Sequence, residues 1–154
     1  MKVYKPEPQE IAKLIELGKD MWAESNFYAT GEFDEVAVIA FSSYLYTNDD
    51  VLVLAVKATE DGGPVGMLVG QKVPYFFAPS KFMAVDHIVY VAPEHRGSSA
   101  AVRLLRGFVE WAEAKDVLEL RLGVSTGVNP ERTGKLYEKL GFANIGGIFT
   151  KRLI

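Results

Sequence analysis

The chain has no cysteine and only two histidines in 154 residues. Without thiols there are no disulfides, thiolate metal ligands or cysteine nucleophile, so thiol redox and papain-like chemistries are excluded. The two histidines, His87 and His95, stand apart from any carboxylate cluster at ligand spacing, so no metal is expected. Positive charge is also short: 17 basic against 20 acidic residues leave a formal charge of -3 and a pI near 5.4. Counterion release cannot then drive broad nucleic-acid binding, and no nucleic-acid partner is expected. No apolar run approaches the roughly 18 residues of a membrane span. The opening Met1-Lys2-Val3-Tyr4-Lys5-Pro6 also lacks the apolar core of a signal peptide. The expectation is a cytoplasmic protein without a membrane partner.

What is present has the balance of an ordinary folded protein, 49% hydrophobic and 24% charged, at a length that fits one domain over 1–154. Residues 2–4 read as a short strand stopped by Pro6 and Pro8. Over 10–22, Ile11, Leu14, Ile15, Leu17 and Trp22 recur near helical spacing. Asp34 is placed to cap a second helix, ending near 48–50, with Val36, Ile39, Ala40 and Leu45 facing inward. The unbroken apolar run over 51–56 suits a strand buried on both faces, and Asp61-Gly62-Gly63-Pro64 turns it back into a second strand over 65–70. Residues 73–80 are ambiguous, with two prolines and three aromatics, and 83–91 reads as a longer strand that runs into Pro93. A helix over 98–115 follows, with Ala101, Leu104, Leu105, Phe108, Trp111 and Ala112 on one stripe. A strand over 118–124, a helix over 130–140 and one or two closing strands over 142–154 complete the order β-α-α-β-β-β-α-β-α-β.

Two junctions carry the chemistry. In Val91-Ala92-Pro93-Glu94-His95-Arg96-Gly97-Ser98-Ser99-Ala100-Ala101 a strand stops at proline and turns through tiny residues into a helix. The first N–H groups of a helix lack internal partners and sit at the positive end of its dipole, so such a junction suits a diphosphate, with Arg96 adding a fixed charge. A plain helix start capped by Ser98 or Ser99 explains the same residues. Residues 127–135 do not make a P-loop, because six residues separate Gly127 from Gly134 where four are needed, and Leu136 replaces the magnesium-holding hydroxyl. At the second junction Asn129 at N-cap with Pro130 after it is a strong helix start, Gly141 is a C-cap candidate, and Tyr137 follows two turns into the helix.

Together, Arg96-Gly97-Ser98-Ser99-Ala100-Ala101 and the later Asn129 with Leu136-Tyr137-Glu138-Lys139-Leu140-Gly141-Phe142 resemble the two cofactor-binding segments of the GNAT superfamily of acyl-CoA-dependent N-acetyltransferases. The resemblance implies an α+β fold with a mixed, mostly antiparallel central sheet flanked by helices. It implies acetyl-CoA as cosubstrate, bound along Val89 and Val91, at Arg96, Gly97, Ser98, Ser99, Ala100 and Ala101, and at Asn129. Ser99 stands where the family usually has glycine, which matters only if the position needs a positive φ or the closest backbone approach.

For the chemistry, the resemblance places the general acid at Tyr137 and a base at Asp86 or His87, with a water-mediated route as the third option. Strand alternation sends Asp86 and His87 to opposite faces, and a bulge would shift that parity. The implied reaction is direct acetyl transfer to a primary amine of a small molecule or protein. A non-catalytic acyl-CoA sensor or interaction module is the alternative. Trp22, Phe27, Tyr28 and Phe33 are candidates for one wall of the acceptor pocket and Tyr75, Phe76 and Phe77 for the other, while Glu24, Glu32 and Asp34 are candidates to attract a cationic amine. A homodimer joined through a sheet edge such as residues 148–154 fits the same resemblance.

Overall fold

In a computed structural model, residues 1–26 and 31–153 are described, and the order is β1 (Lys2–Tyr4), α1 (Ile11–Glu24), α2 (Glu35–Thr47), β2 (Val51–Lys57), β3 (Pro64–Tyr75), β4 (Ala78–Val91), α3 (Ala100–Ala114), β5 (Glu119–Arg121) and α4 (Pro130–Lys139). Five strands form one sheet in the order β1-β2-β3-β4-β5. All neighbours are antiparallel except β4 and β5, which run parallel. The apolar run of β2 is the reason the sheet has two cores: six of its residues are buried, alternately toward opposite faces. Leu52, Leu54 and Val56 join Leu104, Leu105 and Phe108 of α3 on one face. Val51, Val53 and Ala55 join Leu14 and Leu17 of α1 on the other.

The ambiguous stretch resolves into a hairpin. β3 continues to Tyr75, the chain reverses at Phe76 and Phe77, and β4 begins at Ala78. Pro74 is accommodated because it lies beside a register shift, where a missing ladder donor costs little.

Three expectations are corrected. No strand forms over 143–153 among the described residues. There β5 offers only a three-residue edge, and Ile145, Ile148, Phe149 and Leu153 stand exposed, so the backbone has no ladder to join. β5 itself is shorter than the expected strand, because it parts from β4 after Arg121. In α2, Asp34 caps as expected, its carboxylate accepting the Ala37 N–H at 3.0 Å, but only Leu45 of the four inward candidates is buried. Val36, Ile39 and Ala40 face outward, since the helix touches the sheet along its Leu45 side alone.

Candidate active site

The site is created where the parallel pair comes apart. β5 pairs with β4 only from Met83 to Val85, so β4 beyond that point has β3 on one side and an open edge on the other. At the fork, the Gly123 N–H donates to Asp86 Oδ1 at 2.7 Å, a side-chain bridge that takes over where the ladder stops. A cleft of about 700 Å³ fills the opening. It is lined from both faces of the sheet: Ile88 and Tyr90 with Met21 and Glu24 of α1 on one side, and Val89 and Val91 with Leu136 and Tyr137 of α4 on the other.

A bulge sets these directions. Gly70 pairs with Asp86 and Val69 with Ile88, so His87 is the extra residue and parity inverts across it. Asp86 shares the α4 face with Ala84 and interacts with the Tyr137 hydroxyl, whereas His87 contacts Gln71, two residues beyond Val69 of the α1-side core. The two lie on opposite faces, and both line the cleft. Burial pushes the Asp86 carboxyl above its ordinary value, with the Gly123 N–H opposing the shift. Burial and the Asp86 carboxylate together push the Tyr137 hydroxyl up, so it stays protonated at neutral pH. His87 Nε2 lies 2.7 Å from Gln71 Oε1. A carbonyl oxygen can only accept, so in this contact Nε2 is the donor.

The open edge of β4 has the right backbone for pairing. Ala92 N–H donates to Val65 on β3 at 2.9 Å, while the Val91 carbonyl turns the other way and accepts from Arg96 Nε at 2.8 Å. By alternation the Val89 N–H and C=O point to the same open side as those of Val91.

At the β4–α3 junction, Gly97 carries the positive φ (+85°), while Ser99 sits at φ -77° and ψ 2°, where any residue is at ease. The departure from glycine at Ser99 therefore costs no backbone strain. Ser98 Oγ donates to the His95 carbonyl at 2.7 Å and accepts the Ala100 N–H at 3.2 Å, so the local cap comes from Ser98. The N–H groups of Gly97, Ser98 and Ser99 donate to no protein acceptor among the described residues. Ala101 lines the cleft beside them, and Ala100 is buried against the sheet.

Several expected roles are corrected. Arg96 is not an open charge: its Nη1 donates to Glu24 Oε2 at 3.0 Å, its Nη2 pairs with Glu24 Oε1, and Nε holds Val91. Glu24 is thereby committed to Arg96, and Asp34 to its cap, so neither stands ready for an amine. Asn129 begins α4 in the left-handed region (φ 44°) without a side-chain cap, its carbonyl accepting from Thr133 instead. Gly141, at φ +92°, does close the helix: its N–H bonds Glu138 and that of Phe142 bonds Tyr137. Trp22 and Phe33 stack edge to face at 5.9 Å and do not line the cleft. Phe27 and Tyr28 lie outside the described residues. Phe76 and Phe77 pack on each other at the hairpin tip, eight residues or more along β4 from Asp86 and roughly 27 Å away at strand rise. Tyr75 is bonded there to Glu119 and Arg121. They form no wall of this cleft because the strand carries them away from it.

Two residues of the site stand outside the motifs described above: Gly123, whose N–H anchors Asp86, and Arg132, whose guanidinium sits over Gly97. Neither belongs to a recognisable local motif. Arg132 lies three residues past Asn129 on the turn facing the cleft, and helical spacing was the available signal. Among the described residues no group of three or more His, Cys, Asp or Glu side chains is placed to hold a metal ion, and no helix is long and apolar enough to cross a membrane.

The sheet thus forks beside a glycine-containing helix start, with Tyr137 in the fork. The profile of the Acetyltransferase (GNAT) family matches residues 15–142, and the chain belongs to that family. Among solved structures with this fold, a transcriptional regulator from Bacillus halodurans C-125 superposes at TM-score 0.78 with 14% identity over 99% of each chain. The aminoglycoside acetyltransferase AAC(6')-Iy, in complex with the bisubstrate analogue CoA-S-monomethyl-acetylneamine, gives 0.77 and 17% over 98% of this chain and 96% of that one. An aminoglycoside 6'-N-acetyltransferase from Acinetobacter haemolyticus, in its apo form, gives 0.74 and 18% over the whole of both chains. No curated protein matches the sequence significantly.

Proposed function

We propose that the protein transfers an acetyl group from acetyl-CoA to a primary amine by direct attack in a ternary complex. The observation that carries this reading is the fork at Asp86, which exposes the backbone of Val89 on one side and brings the protonated Tyr137 to the other. The pantetheine arm of acetyl-CoA would pair with β4 at Val89 and Val91 as a short added strand. Its diphosphate would rest on the unpartnered N–H groups of Gly97 to Ser99. The Val89 N–H would then face the thioester oxygen as that oxygen gains charge. Two solved structures of one fold neighbour, AAC(6')-Iy, support the cofactor, one with the bisubstrate analogue and one with CoA itself.

The amine nitrogen forms the new C–N bond as the C–S bond breaks. Tyr137 supplies the proton that the departing thiolate gains. The proton lost by the amine goes to His87, whose ring stands on the α1 side of the sheet and lines the cleft. Asp86 is committed to Gly123 and shares Tyr137's side, so it serves the acid and the shape of the fork instead. No acyl-enzyme is needed, in keeping with the absence of cysteine.

The test is a titration with acetyl-CoA followed by an amine screen for thiol release, on the wild type and on Tyr137→Phe. Tyr137→Phe should bind CoA as the wild type does while turnover falls about 10²- to 10⁴-fold. His87→Gln should lower turnover with CoA affinity unchanged, and more steeply than Asp86→Asn does. Saturable CoA binding with no turnover in either form would favour the sensor reading, for which the neighbour described as a transcriptional regulator is the one support.

A further inference from the structure

The two arginines at the mouth of the cleft are in opposite states. Arg96, the arginine of the β4–α3 loop, spends every guanidinium nitrogen on its own chain, two on Glu24 of α1 and one on the Val91 carbonyl. Its charge is neutralised by a carboxylate, and the Tyr90 ring covers it at 5.5 Å. Arg132 forms no hydrogen bond or ion pair among the described residues and lines the cleft from the first turn of α4. Its Nη2 lies only 3.3 Å from where a β-carbon on Gly97 would stand, directly over the loop whose N–H groups are unpartnered. Lys135 and Lys139 line the cleft further along α4, whereas Arg103 donates to Ser99 Oγ at 3.2 Å and does not line it.

Resting on the acetyl-CoA reading above, we propose that Arg132 is the residue that pairs with the CoA diphosphate in this chain, and that Arg96 is a positioning residue that ties α1 to the cofactor loop. An uncompensated guanidinium beside free backbone N–H groups completes an anion site from two elements, α4 and the β4–α3 loop. A guanidinium already paired with a carboxylate would have to abandon Glu24 to do the same, leaving that half-buried charge exposed to the cost of separation. Gly97 is then glycine for two reasons: its φ of +85° and the space above it that Arg132 occupies.

The experiment is calorimetric titration of wild type, Arg132→Ala and Arg96→Ala with CoA, dephospho-CoA and pantetheine, with thermal unfolding of each protein. Arg132→Ala should lose about tenfold or more in affinity for CoA and for dephospho-CoA alike, the scale of a charge-assisted hydrogen bond. It should bind pantetheine as the wild type does and unfold at the same temperature. Arg96→Ala should unfold at a lower temperature and weaken pantetheine and CoA in the same proportion, as a distorted loop would. Unchanged CoA affinity in Arg132→Ala overturns the proposal, and so does a loss confined to CoA with dephospho-CoA unaffected, which would put Arg132 on the 3'-phosphate. A folded wild type that binds none of the three at millimolar concentration overturns the acetyl-CoA reading itself.

Discussion

Helices α3 and α2 are both rich in apolar residues, yet they meet the sheet in different ways. In α3 the apolar residues recur on one stripe, and Ala100, Leu104, Leu105, Phe108 and Ala112 are all buried beneath it. In α2 apolar residues surround the axis: Leu45 is buried, while Val36 is 79% exposed and Ile39, Phe41 and Tyr44 are exposed with it. Total hydrophobicity does not place a helix; periodicity does. The α3 stripe fixes one face of the sheet at the fork. The other face is held by α1, with α2 fastened at its edge by Lys19 to Glu35 at 2.7 Å and by the Tyr46 hydroxyl on the Pro6 carbonyl.

The sharpest way to break this contrast is to empty the α3 side. Phe108 has no solvent exposure and stacks on Trp111 at 5.9 Å. Phe108→Ala should cost about 3–5 kcal/mol in urea unfolding, because the surrounding strands close a cavity of that size only in part. The opposite error, overfilling, is available at Gly70. A β-carbon there would lie 2.3 Å from Phe108 Cε2, beside the bulge that orients His87. Gly70→Ala should cost about 1–3 kcal/mol and disturb turnover more than CoA affinity, which equilibrium unfolding and the titration separate.

Much of this fold and part of the site are legible in the residues themselves. The stripe of α3, the double-sided run of β2 and the Asp61-Gly62-Gly63-Pro64 turn each announce a local structure through a local pattern. The exposure of Val36 and Ile39 is not legible, because an apolar residue in a helix without periodicity does not reveal which side meets the sheet. The 142–154 segment has strand composition, but pairing depends on an edge elsewhere, and β5 ends too soon to provide one. The β4–α3 loop is readable as far as its glycine, whereas the commitment of Arg96 is not: its partner Glu24 is 72 residues away. The bulge at His87 likewise depends on the register of two distant runs.

A third test reads that Glu24 link, the charged tie between α1 and the site. The hydrogen bonds from Arg96 hold the Glu24 carboxyl below its ordinary 4.5 in the folded protein. The unfolded chain therefore takes up the proton first as pH falls, so this pair stabilises the fold fully above about pH 4.5 and the contribution is lost as pH drops through the lower folded value. Glu24→Gln should show a smaller fall in melting temperature between pH 6 and the acid side than the wild type. At pH 7 it should melt slightly lower. Melting curves across that window check it, and parallel pH dependence in both proteins would mean that α1 is held to the site by its apolar contacts alone.

The smallest effect is expected on α2, and it is informative for that reason. Val36→Ser and Ile39→Ser remove apolar surface that already faces solvent, so each should change unfolding free energy by no more than about 0.5 kcal/mol. Phe108→Ala under the same conditions gives the scale. If either serine variant costs as much as a buried position would, the outer face of α2 is covered in solution, and the contrast between the two helices is one of partner and not of exposure. If both are neutral, α2 is a helix held by its ends and by Leu45, free to move relative to the fork without disturbing the core beneath α3.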